Sequence, residues 1–325
     1  MISSYARIQG IFERLSEEPH RASEVPYFYI GRDGDAEEVG LGRGPSGTYR
    51  LWVRLPAGRT TPKLGVGSIL ETEWVNHSDL GNGRATYLQV SCNEPRLNRT
   101  FLSLTAEMLD EVRGTSQPVL DGLLTVIDSW HQILRSRSKM LSRQEAIGLF
   151  GELTILRKFA RLDPRKALDV WRGVENYRHD FNATNSLEVK TYTGYGEPRI
   201  RIHGAYQLEP PLGHRLHLVA LKVDENESGE SLSAMVDALA DLGVSRGTVL
   251  RKLDRTMENL EALSYRFVVE EIRLFEIGGD FPGIRPSRLE PDALRGVDNL
   301  SYSLGLDHCT GILPVEELEG VLKCL

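Results

Sequence analysis

Cysteine is scarce and scattered in this chain. Cys92, Cys309 and Cys324 are the only three in 325 residues, and no Cys-x-x-Cys pair occurs. That excludes a disulfide framework. The eight histidines show no ligand-like spacing either, so a structural zinc site is not expected. Long apolar runs are also missing. No stretch approaches the roughly 20 residues needed to cross a bilayer. Met1 to Phe12 reads MISSYARIQGIF, without the apolar segment behind a basic one that a secretory leader needs. A cytoplasmic chain with no membrane contact is expected. Positive charge is not in excess: 39 Lys and Arg stand against 46 Asp and Glu, a net charge of -7. This argues against a nonspecific nucleic-acid coat protein, but a local basic surface could still contact phosphates. Internal repeats and low-complexity tracts are absent as well.

What is present is ordinary for a globular protein, with 40% hydrophobic and 26% charged residues. The length suits two domains. Tyr5, Ile8, Ile11, Phe12 and Leu15 recur at helical spacing. Strand-like runs follow at Tyr27 to Ile30, Tyr49 to Leu55, Ile69 to Val75, Ala85 to Cys92 and Thr100 to Leu104, separated by Gly and Pro turns. Residues 1–105 therefore read as a β-rich N-terminal domain. Within it Gly40, Gly42, Gly44 and Gly47 are no phosphate cradle, because no Lys-Ser/Thr pair follows; a hairpin loop is expected.

The middle of the chain turns helical. Val119 to Leu134 describes one amphipathic helix, with Pro118 suited to its first turn. A second helix starts near Ser142, with Glu145 three residues on as a capping-box partner, and ends before Asp163-Pro164. Strands are predicted at Val189 to Tyr192, Arg199 to His203, Leu216 to Val223 and Phe267 to Ile277. Helices are predicted at Leu232 to Leu242, between Val249 and Leu263, and after Pro314. Residues 106–277 read as a helical lead-in and an α/β core, and 278–325 as an extension packed on it.

One constellation carries chemistry. Leu149, Leu153, Leu156 and Ala160 mark the buried face of the second helix, and Glu152 borders it. A carboxylate there needs a partner, and Arg157 is a structural candidate. Asp180 enters a short strand, Ala183 to Ser186 suits a turn, and Leu187 to Tyr192 returns. A hairpin closing around Thr184-Asn185 sets Asp180 opposite the Glu188–Lys190 stretch. Glu188 and Lys190, two apart, share a face. Two carboxylates with the backbone carbonyl of Val189 between them suit a hard divalent cation. Lys190 could orient a water and offset charge on a phosphorane. Arg199, Arg201 and His203 alternate on the next strand. The first two are candidate DNA contacts. Two further basic clusters, Arg135 to Arg143 and Arg157 to Lys166, fit a solvated helix face at least as well. The remaining histidines have no nucleophile pattern beside them.

Taken together, Gly148-Leu149-Phe150-Gly151-Glu152-Leu153, Trp171-x-Gly173, His179-Asp180-Phe181 and Glu188-Val189-Lys190-Thr191 resemble the PD-(D/E)XK, or restriction-endonuclease-like, superfamily. They look most like a bacterial branch of uncharacterised function found with restriction-type defence loci. The resemblance implies an α/β fold with a mixed central sheet flanked by helices. It implies Asp180 and Glu188 as metal-binding acids, Lys190 as the catalytic lysine and Glu152 as the helix acid. Gln207 stands where some relatives carry an auxiliary Gln. His179 departs from the pattern, which has Pro there. The expected activity is DNA hydrolysis with Mg2+, or Mn2+ in its place. DNA, a homodimer partner and other proteins of a defence locus are the expected partners. Two alternatives stay open: a catalytically silent nuclease-fold subunit of a defence complex, and a structural ion-pair network in an unrelated fold.

Overall fold

The computed structural model describes residues 4–17, 27–32, 35–44, 47–62, 70–77, 85–112, 117–135, 140–175, 177–290 and 292–325. In chain order these form α1 (Ser4–Glu17), β1 (Tyr27–Arg32), β2 (Asp35–Arg43), β3 (Tyr49–Arg54), β4 (Leu70–His77), β5 (Ala85–Cys92), α2 (Asn98–Glu111), α3 (Val119–Arg135) and α4 (Arg143–Ala160). There follow α5 (Ala167–Val170), β6 (Phe181–Asn182), β7 (Ser186–Tyr192), β8 (Arg199–His203), β9 (Leu216–Glu230), α6 (Leu232–Asp241), α7 (Arg246–Leu253) and α8 (Met257–Glu261). The chain ends with β10 (Phe267–Glu276), β11 (Ser301–Gly305), β12 (Ile312–Leu313) and α9 (Leu318–Lys323). They gather into two compact units, Met1–Lys139 with Ser245–Leu260, and Met140–Val244 with Glu261–Leu325. Residues 106–139, grouped with the α/β core on sequence, thus cluster with the β-rich part, and the chain returns to that unit at 245–260. No helix among the described residues is long and apolar enough to cross a membrane.

The first unit holds an antiparallel sheet in the order β1-β2-β3-β5-β4. Leu41, Leu51, Val53, Leu88 and Val90 are fully buried in it. Two expectations are corrected here. Gly40 and Gly42 lie in β2, paired with Trp52 and Arg50, and only Gly44 and Gly47 belong to the turn. Trp52 stands directly across from Gly40 in the ladder, and its indole N–H donates to Gln89 Oε1 at 2.7 Å. Thr100 to Leu104 is helical, inside α2, because residues 100 to 108 are buried on every side. All-round burial erases the amphipathic period, and Thr100 and Thr105 then read as strand formers. The strand expected from Ile69 begins at Leu70; Ile69 lies outside the described residues.

The second unit is built on a mixed sheet in the order β12-β10-β9-β7-β6, with β7 and β9 parallel and the other pairs antiparallel. Helices α4 and α6 pack together, and α4 lies on β7. Gly151 allows that approach, since a Cβ there would collide with Thr191 Oγ1. The opposite side is a second core, in which Ile200 and Ile202 of β8 and Leu304 of β11 cover Tyr192, Leu218, Ala220 and Phe275. β8 and β11 form their own two-stranded sheet.

Helix α4 starts where the sequence sets it. Ser142 Oγ accepts the Glu145 N–H at 3.3 Å, and Glu145 Oε2 accepts the Ser142 N–H at 2.7 Å, a complete capping box. Ser142→Ala should therefore cost about 1 kcal/mol, read as a lower denaturation midpoint at unchanged slope. No measurable loss would mean that the Glu145 half of the box suffices.

Candidate active site

The β6–β7 hairpin positions the acids. The turn 183–185 is closed by Ala183 N–H to the Asn185 carbonyl at 3.1 Å and by Ser186 Oγ to Asn182 Oδ1 at 3.2 Å. Phe181 then pairs with Leu187, and Asp180 comes opposite Glu188. β6 is only two residues long. Beyond it the edge of β7 has no strand partner, and the Asp180 side chain takes over: its Oδ2 accepts the Val189 N–H at 2.7 Å. N–H and C=O of one strand residue point to the same side, so the Val189 carbonyl also faces the Asp180 edge. The Asp180 backbone is fixed in turn, its carbonyl accepting N–H groups of Arg172 and Gly173 at 2.7 and 3.0 Å.

Glu188 and Lys190 share one face of β7, in register with Leu218 and Ala220 of β9. Glu188 is 1% exposed, and its Oε1 lies 2.7 Å from Lys190 Nζ. Glu152 reaches the same place from α4. Its partner is not Arg157, which makes a bidentate pair with Glu230 at 2.6 and 2.8 Å. Instead the buried Trp171 indole N–H donates to Glu152 Oε2 at 2.9 Å. Gly173 leaves the room: a Cβ there would collide with Glu152 Oε2 and lie 2.8 Å from Asp180 Oδ1. Glu152 and Asp180 therefore converge on one point.

Each carboxylate spends one oxygen on a fixing contact and keeps the other. Among the described residues no hydrogen bond engages Asp180 Oδ1 or Glu152 Oε1, and the buried Glu188 Oε2 has no hydrogen-bond partner. The electrostatics follow from crowding three acids around one ammonium in a dry place. Burial, then Asp180, pushes the Glu152 carboxyl up to about 8. Burial and Asp180 do the same to Glu188, also to about 8. Burial raises Asp180, against the pull of Lys190 and the Val189 N–H. Burial pulls Lys190 down, but Glu188 and Asp180 outweigh it and hold the ammonium above its ordinary value. Lys190 is thus held in its charged form.

The other predicted residues sit apart from this cluster. Gln207 Oε1 accepts the His203 N–H at 2.8 Å at the end of β8, and no contact among the described residues joins it to the four. Arg199 and Arg201 are on the exposed face of β8, Arg199 paired with Glu197 at 2.5 Å and Arg201 Nη2 on Ser301 Oγ at 3.2 Å. Of the two basic clusters, Arg143 pairs with Glu225 and Lys166 with Asp163, which fits a solvated helix face. Arg137 and Lys139, with the side chain of Arg135, lie outside the described residues. His179, in the place of the superfamily's Pro, is 2% exposed and its ring hydrogen-bonds the Tyr206 backbone. Trp171 and Gly173, which in the sequence are only part of a motif, seat Glu152: one holds its Oε2 and the other leaves room for it.

Residues 9–307 match the model of a protein family described as "Putative PD-(D/E)XK family member, (DUF4420)". The chain belongs to this family. No curated protein and no solved structure matches it. The mixed sheet flanked by helices is accordingly a PD-(D/E)XK, restriction-endonuclease-like core, joined to a β-rich N-terminal region. Members of this superfamily typically use divalent metals, and the donor set can be tested against that. Burial keeps protons on Glu152 and Glu188 near neutral pH; with those protons displaced, three carboxylates against one lysine would leave two negative charges for a bound cation to neutralise. That composition fits a hard divalent cation. Among the described residues no three His, Cys, Asp or Glu side chains form a ready-made ligand cage. Mg2+ needs none, since it binds through one or two carboxylates and keeps most of its waters.

Two outcomes are expected. Gly173→Ala should displace the flexible ends of Glu152 and Asp180 rather than the backbone. The metal-free stability should then stay within about 1 kcal/mol, while the rise in Tm on adding Mg2+ shrinks; a rise equal to wild type would separate Gly173 from the site. The second concerns pH. With the Glu152 and Glu188 carboxyls raised, the folded chain holds more protons than the unfolded one between 4.5 and about 8. Stability in EDTA should therefore fall as pH rises through that window. Glu188→Gln should flatten the fall, and a slope identical to wild type would count against the buried-acid account.

Proposed function

We propose that this chain is a divalent-metal-dependent DNA endonuclease that hydrolyses phosphodiester bonds in a restriction or phage-defence setting. The observation that carries the reading is the convergence of Glu152, Asp180 and Glu188, each with one uncommitted oxygen, around the Lys190 ammonium. Family membership supports it.

Asp180 and Glu188, with the Val189 carbonyl, are the groups to hold Mg2+, or Mn2+ in its place. When bound, such a cation supplies Lewis-acid stabilisation of phosphoryl oxygens and makes water a better nucleophile near neutral pH. The chain's own residues do the rest. Glu188 pins the Lys190 ammonium at 2.7 Å, so its charge is already aimed when negative charge builds on the phosphate. Glu152, held by Trp171 on one oxygen, keeps the other for a water or a metal-bound ligand. Asp180 is held by the Val189 N–H and does not have to reorganise as substrate enters.

The direct test is cleavage by purified protein with Mg2+ on supercoiled, linear and modified DNA. Lys190→Ala and Asp180→Asn should each lower the rate by at least about 100-fold, with Tm held or raised in the Asp180 variant because a buried acid is neutralised. If wild type and Lys190→Ala behave alike on every DNA form, the chain is better described as a silent nuclease-fold subunit.

A further inference from the structure

Two exposed tyrosines flank Asp180, each paired with an arginine. Tyr206 is 57% exposed, and the Arg178 guanidinium sits 5.3 Å from its ring centroid. Tyr177 is also 57% exposed, with the Arg172 guanidinium at 5.9 Å. Both pairs are tied to the carboxylate site. Arg178 is two residues before Asp180, and the ring of His179 between them bonds the Tyr206 backbone. The Arg172 N–H donates to the Asp180 carbonyl at 2.7 Å.

The arginine beside Tyr206 is held in an unusual way. Arg178 donates to the Tyr206 carbonyl at 3.0 Å and to the Glu209 carbonyl at 2.7 Å. Backbone carbonyls fix a guanidinium without cancelling its charge, and among the described residues Arg178 meets no carboxylate. Arg201 is likewise held by a neutral group, the Ser301 hydroxyl. Arg172 is partly neutralised by Glu175 at 2.9 Å. A chain with a net charge of -7 thus keeps one uncancelled, preorganised cation, Arg178, beside the half-exposed ring of Tyr206.

That chemistry suits one kind of ligand. A duplex presents base edges and phosphates, while its ring faces are occupied by stacking. A tyrosine gains from a base only when the base is unstacked, and a neighbouring arginine then takes the adjoining phosphate. We propose that Tyr206 with Arg178, assisted by Tyr177 with Arg172, forms a subsite for an unpaired stretch of a nucleic-acid strand at the mouth of the carboxylate–lysine site. This rests on the nuclease reading and narrows its substrate to strands with unpaired bases beside the scissile phosphate.

Binding in EDTA, where no cleavage intervenes, tests it. The full-length chain is titrated by fluorescence anisotropy against a labelled single DNA strand, a single RNA strand of the same sequence, and the blunt DNA duplex. At least one single strand should bind about tenfold tighter than the duplex, and the stronger of the two identifies the sugar preferred. Tyr206→Ala should weaken that binding roughly tenfold, Tyr206→Phe should retain it because the ring stays, and duplex binding should move with neither. Tyr206 is exposed, so neither variant should change Tm. If Tyr206→Ala binds single strands as wild type does while the duplex still binds, the subsite falls and the nuclease reading stands. If no nucleic acid binds at all, the subsite falls, and the nuclease reading is then decided by the Mg2+ cleavage assay alone.

Discussion

Three carboxylates share a nearly dry space with a single ammonium, and the second unit is arranged around that crowding. Taking one carboxylate out of water is costly, and three side by side repel one another as well. Such a cluster persists only if the surroundings hold each group in place and each charge is answered by a cation or removed by a proton. Lys190 answers one of the three. Burial answers the rest by keeping protons on Glu152 and Glu188, and a divalent ion would take the place of those protons, so the crowding that strains the fold is also what suits the cluster to a cation.

The fixing contacts come from separate parts of the chain. A strand of only two residues, β6, leaves the Val189 N–H for the Asp180 side chain to take. A tryptophan from the loop after α5 holds Glu152, and a glycine two residues later makes room for it. A longer β6 would satisfy the ladder with backbone and free Asp180 to wander. A side chain at position 173 would separate the two acids. The irregularities are therefore where the site is made, on a regular scaffold of β7, β9 and α4 that supplies rigidity.

A buried glutamate in the first unit shows what the alternative looks like. Glu107 is 5% exposed, and it too accepts an indole N–H, from Trp130 at 2.7 Å. Its other oxygen is taken by Arg251 and by Thr248 Oγ1. Both oxygens are engaged and the charge is paired, as a structural ion pair requires. Glu188 is more deeply buried and keeps an oxygen with no partner. The contrast is between a closed carboxylate, with both oxygens engaged, and an open one, with an oxygen left over.

The sequence by itself determined the local parts. Ser142 and Glu145 mark where α4 begins, because a capping box is made within four residues. The Asn182–Ser186 turn and the two-residue period of a strand set Asp180 across from Glu188 and put Glu188 and Lys190 on one face. Those relations are short in sequence and need no knowledge of the rest of the chain. The helical state of residues 100–104 was hidden, since burial on all sides removes the period that distinguishes helix from strand. The strand that contains Gly40 and Gly42 was hidden as well, because glycine carries no strand propensity and the ladder partners Trp52 and Arg50 lie twelve and eight residues on. The role of Glu152 was decided only in three dimensions. Its helix position suits a rim ion pair with Arg157 as well as a place in the site. Only the fold, by giving Arg157 to Glu230 and bringing Trp171 and Gly173 against Glu152, removes the ion pair and sets the carboxylate beside Asp180.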